Sequence, residues 1–161
     1  MTRLCDLSVS SYLHDDEPPS LPGNRAAQLA GLRNDCMAEL LEEHKRSGRT
    51  ITVAPYVLAS TGDERRAGLA QLGRFAEEQQ GWPVTGSSFC DFDPEVPLEE
   101  RRAFGAACRY ASLGFASGIL AANRAALTFD DAAYERVLTY LHKHRVFLAF
   151  LPLLNEQGAM S

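Results

Sequence analysis

From about residue 50 onward, short apolar runs take turns with amphipathic segments of helical period, and this alternation restricts the chain more than any other feature. Ile51 to Leu58, Trp82 to Phe89, Ser117 to Ala122 and Val146 to Leu154 read as strands, the second weakened by Pro83 and Gly86. Strands apolar on both faces belong between two layers of helix, where a parallel sheet is buried on either side. The intervening segments supply those layers. Asp63 to Gln80 carries Leu69, Leu72, Phe75 and Ala76 on one face, and Leu98 to Leu113 places Phe104, Ala107, Cys108 and Ala111 at i, i+3, i+4 and i+7. The helix that ends near His144 lines up Tyr134, Val137, Leu138 and Leu141, a stripe that reads as core. The expected fold is therefore α/β, a three-layer sandwich with a mostly parallel sheet and right-handed crossovers.

Local punctuation agrees with this frame. Thr61 with Glu64, and Thr128 with Asp131, have capping-box spacing, while Gly81 and Gly114 follow helix ends. Asp91-Phe92-Asp93-Pro94 reads as a turn. Pro55 lies inside the first strand, which it permits only at an edge or at a position outside the ladder. Ahead of the main domain, expected over 49–161, Leu29, Leu32, Cys36 and Leu40 mark an extra amino-terminal amphipathic helix over 24–48, with Asn24 as N-cap and Gly48 beyond its basic end. Residues 1–23, with Asp15-Asp16-Glu17-Pro18-Pro19, suit neither helix nor central strand and are expected to form a flexible arm.

Composition bounds the function. A chain of 161 residues with 45% hydrophobic content makes one compact domain plus an appendage. Its formal net charge of -5 gives it no overall attraction for nucleic acid, leaving a local basic patch as the route to such binding. Cys5, Cys36, Cys90 and Cys108 are scattered without a CxxC pair and read as reduced, packed thiols. His14, His44, His142 and His144 lack a partner set with metal-ligand spacing, so neither metal nor cofactor is expected. The sequence has no signal-peptide pattern and no membrane-length apolar run; a cytoplasmic, membrane-free location is the expectation.

Several motifs then fall in one order. The first strand runs into Tyr56-Val57-Leu58-Ala59-Ser60-Thr61, a Gly81-Trp82 step precedes the second strand, and Phe89-Cys90-Asp91 closes it. Arg101-Arg102-Ala103-Phe104 and Ala122-Asn123-Arg124-Ala125-Ala126-Leu127 follow. From about Thr50 to Asn155 the chain resembles the catalytic domain of serine site-specific recombinases, the resolvase and invertase group. The resemblance implies that Ser60 stands at the nucleophile's place and that Arg101 and Arg124 stand at phosphate-binding places. Tyr56, Thr61, Asp91 and Asn123 are supporting residues by the same resemblance. It also implies metal-free attack of the serine hydroxyl on a DNA phosphodiester, with arginines balancing the charge that develops.

This chain departs from that pattern where the chemistry is most demanding. Leu58 and Leu127 stand where the family has arginine, and Asn123 replaces its acid. A serine at its ordinary pKa is a poor nucleophile, and one lost charge-stabilising donor costs roughly a hundredfold or more. The resemblance also implies a long helix and a DNA-reading domain after the sheet, for which few residues follow the last apolar run here. The expectation is an impaired domain acting through protein contacts, with a second copy or another protein as partner and with DNA weakly supported. Two alternatives stand beside it: a minimal active recombinase that borrows DNA-binding parts from a partner, and a flavodoxin-like module for a phosphorylated ligand. Each candidate residue also has an ordinary role open to it. Ser60 flanks a helix, Thr61 is the better N-cap, and Arg101, Arg102 and Arg124 have Glu99, Glu100 and Asp91 as potential ion-pair partners.

Overall fold

The computed structural model describes residues 22–152. The expected arm over 1–23, apart from its last two residues, and the end of the final apolar run lie outside the described residues. Helix α1 spans Pro22–Ser47. It begins two residues earlier than the sequence suggests, because proline at a helix start gives up only an N–H that would have no intrahelical partner. Asn24 is thus inside the first turn and is not the N-cap.

Strand β1 (Val53–Leu58) leads to helix α2 (Gly62–Arg74), which widens into a π-helical turn over Phe75–Gln80. Gly81, at φ 72°, stops it. Strand β2 is only Phe89–Asp91. The expected strand over Trp82 to Phe89 is therefore displaced, with Val84 reduced to an isolated bridge to Val53. Pro55 explains the gap. Val53 and Ala59 donate their N–H groups toward this neighbour, to Pro83 O and Asp91 O, so the nitrogen of Pro55 faces the same side, opposite residues that form no strand. The proline sits in an interior strand at a position outside the ladder.

The helix expected from Leu98 is divided. Leu98–Glu100 is a separate 3₁₀ turn, Arg101 is extended, and α3 spans Arg102–Ser112. The cause is Asp91, whose carboxylate accepts the N–H groups of Ala103 and Phe104 and starts the helix there. Strand β3 (Gly118–Ala121), helix α4 (Asp131–Lys143) and strand β4 (Phe147–Phe150) complete the order. The N-cap of α4 is Asp130, which takes the N–H groups of Ala132 and Ala133, whereas Thr128 accepts from Asp130 N instead of capping the helix itself.

The four strands form one all-parallel sheet in the order β2-β1-β3-β4. One face carries Ala54, Tyr56, Ile119, Ala121 and Leu148 against α3 and α4. The other carries Val53, Val57, Leu120, Phe147 and Ala149 against Leu72, Phe75, Ala76 and Trp82. Gly118 is required by this packing, since a Cβ there would meet the Phe147 ring at 2.4 Å.

Helix α1 lies along the edge at β4 and joins the two layers, giving Leu29 to the first core and Leu40 to the second. It runs parallel to α4, tied by Arg25 to Glu135, by Glu39 to His142 and by Glu43 to Arg145. Arg33 Nη1 donates to the Leu148 carbonyl at 2.7 Å, so an edge-strand acceptor is satisfied by the helix. Among the described residues no helix is long and apolar enough to cross a membrane, and no group of three His, Cys, Asp or Glu side chains is placed to hold a metal ion.

Candidate functional site

The carboxyl ends of parallel strands are where open α/β sheets place their ligands. Ser60 follows β1 there and is exposed. Thr61 is the N-cap of α2, its Oγ1 accepting from Glu64 N at 3.1 Å, and Glu64 Oε1 accepts the Ser60 N–H at 2.7 Å. The expected cap is present, with its return bond reaching Ser60. The backbone of Ser60 is therefore held by the Glu64 carboxylate, while its hydroxyl makes no hydrogen bond among the described residues.

Tyr56, Asp91 and Arg101 are brought together. The Tyr56 hydroxyl donates to Asp91 Oδ2 at 2.9 Å and accepts from Arg101 Nη1 at 3.3 Å. Burial pushes the Tyr56 phenol far above its ordinary pKa, opposed by the Arg101 hydrogen bond and supported by Asp91. Arg101 is only 6% exposed. Three further N–H groups go to backbone: Nε to Val96 O at 3.0 Å, Nη1 to Ala126 O at 2.9 Å and Nη2 to Pro94 O at 3.5 Å. It clamps two segments, the loop of Pro94 and Val96 and the turn at Ala126, onto the end of β1.

Arg124 is held in another way. Nε donates to Thr128 O at 3.0 Å, Nη2 pairs with Asp131 at 2.8 Å, and the guanidinium lies 4.2 Å from the Tyr134 ring centroid. Asn123 caps the 3₁₀ turn of Arg124–Ala126 by accepting from Ala126 N. Leu127, one of the two leucines at arginine positions of the resemblance, is fully buried in the core, and Leu58 pairs with Asp91 in the β1–β2 ladder.

This end also holds a cavity that no local sequence pattern marks. Arg124 and Asn123 line a cavity of about 510 Å³ whose far wall is α1, through Arg33 and Asn34, with Tyr134 and Phe150 between. Ser60, Arg101 and Asp91 do not line it. Arg33 lies over the Phe150 ring, 4.9 Å from its centroid, and burial lowers its pKa. The signal for Arg33 was available, since four residues after Leu29 it stands inside the apolar stripe of α1, where a cation calls for an explanation.

No protein-family model and no curated protein sequence matches the chain. Its fold is similar to the crystal structure of the C-terminal catalytic domain of ISC1926 TnpA, an IS607-like serine recombinase, with a TM-score of 0.52 and 12% sequence identity over 68% of this chain and 76% of that one. At that identity the likeness is one of fold, and the chain has a recombinase-like α/β architecture.

Proposed function

We propose that this is a serine-recombinase-type domain that does not cleave DNA and that acts through contacts with a second copy of itself or another protein. The observation that carries the reading is the orientation of the two arginines. Arg101 gives its donors to Tyr56 and to three backbone carbonyls, and Arg124 gives its own to Thr128 and Asp131. Phosphodiester attack needs such donors aimed at the developing charge, and each missing one costs roughly a hundredfold or more. Leu58 and Leu127 remove two further positions that the resemblance fills with arginine. Among the described residues the hydroxyl of Ser60 makes no hydrogen bond, and the nearby Glu64 carboxylate is engaged by the Ser60 backbone N–H.

The test is a nicking and covalent-adduct assay on supercoiled plasmid, comparing the full chain with Ser60→Ala. Equal background from both is expected. Robust cleavage that disappears in the variant sinks this reading and supports an active recombinase that borrows its DNA-binding parts.

A second reading is favoured by the cavity between α1 and the carboxyl ends of β3 and β4. Its volume of about 510 Å³ is suited to a small ligand, and Arg33, Asn34 and Asn123 offer polar groups beside two aromatic rings. The sheet order β2-β1-β3-β4 also matches that of flavodoxin-like modules. A thermal-shift screen with nucleotides and flavins checks it; no stabilisation by any of them removes it.

A further inference from the structure

At the amino end of the sheet three helices finish with the same turn. In α1, Gly48 N bonds to Lys45 O and Arg49 N to His44 O; in α3, Gly114 N bonds to Ala111 O and Phe115 N to Tyr110 O; in α4, Arg145 N bonds to His142 O and Val146 N to Leu141 O. Each is a Schellman motif, in which a left-handed residue lets the last carbonyls find donors. These three ends meet at one cavity of about 310 Å³, walled by Arg49, Arg145, His44, His144 and Phe115 and by the hydroxyl residues that precede β1 and β3. No carboxylate lines it. In a chain with 21 acidic and 16 basic residues this is a local reversal of charge. Lys45, Arg46 and Lys143, all exposed, extend it along the last turns of α1 and α4; of the two nearby acids, Glu42 is exposed and Glu43 pairs with one Nη of Arg145, leaving the rest of that guanidinium for the cavity.

Two details separate this face from ordinary basic residues at helix ends. Gly48 and Gly114 fill the left-handed positions of α1 and α3, but the equivalent place in α4 is Arg145, at φ 63° the single positive-φ residue other than glycine among the described residues. An L side chain is disfavoured there, and backbone strain of this kind gathers at functional positions. Phe115 is the second detail. It is 61% exposed, stacked by one face on Tyr110 at 5.3 Å and 26°, and Tyr110 is braced in turn by Phe89 at 5.4 Å. A large apolar ring is thus held rigid beside a cationic cavity with its other face open.

We propose that this face binds single-stranded nucleic acid, a backbone phosphate lying between the guanidinium groups of Arg49 and Arg145 and an unpaired base stacking on Phe115. Charge and aromatic surface together are the requirements of such binding: cations follow the phosphates, and any base offers a π-face. The surface is at the opposite end of the sheet from Ser60, so binding here is independent of whether Ser60 is reactive.

The test is fluorescence anisotropy of the full chain with a labelled thymidine oligonucleotide of about 15 nucleotides, a length that spans a typical single-strand site. Saturable binding that weakens as salt rises is expected. Arg145→Gly retains the left-handed turn without its strain, and it should weaken binding about tenfold while lowering the salt slope by about one. Phe115→Ala should weaken binding about tenfold and leave the salt slope unchanged, since stacking releases no counterions. Thermal melts establish that both variants are folded. No binding at low salt, wild-type affinity in Arg145→Gly, or equal affinity for a duplex with Phe115→Ala neutral would each overturn the proposal. So would association with phosphatidylserine vesicles, or with inorganic phosphate, in the absence of oligonucleotide binding. Because the nicking assay reads Ser60 chemistry alone, its outcome is separable from this one.

Discussion

At the carboxyl end of the sheet Arg101 is buried on its own acceptors and Arg124, at the wall of the larger cavity, is tied to Thr128 and Asp131, whereas at the amino end Arg49 and Arg145 line an open cavity with fewer partners. The first pair is surrounded by acceptors that the fold itself supplies: carbonyls of Pro94, Val96, Ala126 and Thr128 and the carboxylate of Asp131. At the second site Arg145 has one ion-pair partner, Glu43, and Arg49 donates to the Ser47 hydroxyl. An arginine count therefore says little about a site's field. What matters is how many of the five guanidinium N–H groups remain after the protein's own acceptors are satisfied.

The largest effect expected from this contrast is that of Arg101→Met. Removing a buried guanidinium leaves Tyr56 and the carbonyls without donors, and stability should fall by about 3 kcal/mol or more, read from urea unfolding. A loss under about 1 kcal/mol would mean that these donors are dispensable to the fold and available to a ligand. Asp91→Ala comes next. It removes the acceptor of Ala103 N, Phe104 N and the Tyr56 hydroxyl, and should cost about 2 kcal/mol, with loss of helicity at the start of α3.

Arg145→Gly has the opposite sign. Relief of the left-handed backbone should raise stability by about 1 kcal/mol, less the small worth of an exposed pair with Glu43, and shift the thermal midpoint upward. An unchanged or lowered midpoint would mean that the guanidinium holds the fold, as Arg101 does. The smallest effect is that of alkali, which is absent at neutral pH. Burial raises the Tyr56 phenol far above its unfolded value and pushes the Cys108 thiol up to about 12. Both groups stay protonated in the folded chain after they ionise in the unfolded one, so their contribution is complete below about pH 8 and is lost as pH rises from the unfolded values through the folded ones. Unfolding free energies followed from pH 7 upward should be flat at first and then decline. Tyr56→Phe should shrink the part of the decline above about pH 10.

Much of this architecture was legible in the residues. The stripe of Phe104, Ala107 and Ala111 is buried as its spacing requires, as are Leu72, Phe75 and Ala76 and the run from Val146 to Ala149. The less legible parts are those in which one residue answers to a distant one. Pro55 suppresses the strand opposite it, Asp91 moves the start of α3, and Asp130 displaces Thr128 as a cap because it is placed to reach two N–H groups at once. At the candidate site, the motif positions Tyr56, Asp91 and Arg101 meet in one hydrogen-bonded cluster. The wall that α1 contributes through Arg33 is less legible: a cation in an apolar stripe is visible in the sequence, but nothing local tells where a separate helix docks.

What the amino-acid order determined by itself is the part governed by neighbours a few positions away: the helical stripes, the apolar strands and their parallel class, and the glycines that stop α1, the π turn and α3. The direction of each guanidinium was decided only by packing. Arg101 meets Tyr56, 45 positions away, and Ala126, 25 positions away, and no local pattern could show that these acceptors would be waiting. A charged side chain bonds to whatever acceptor lies within about 3 Å. The fold, by choosing that acceptor, turned one set of arginines into scaffold and left another facing water.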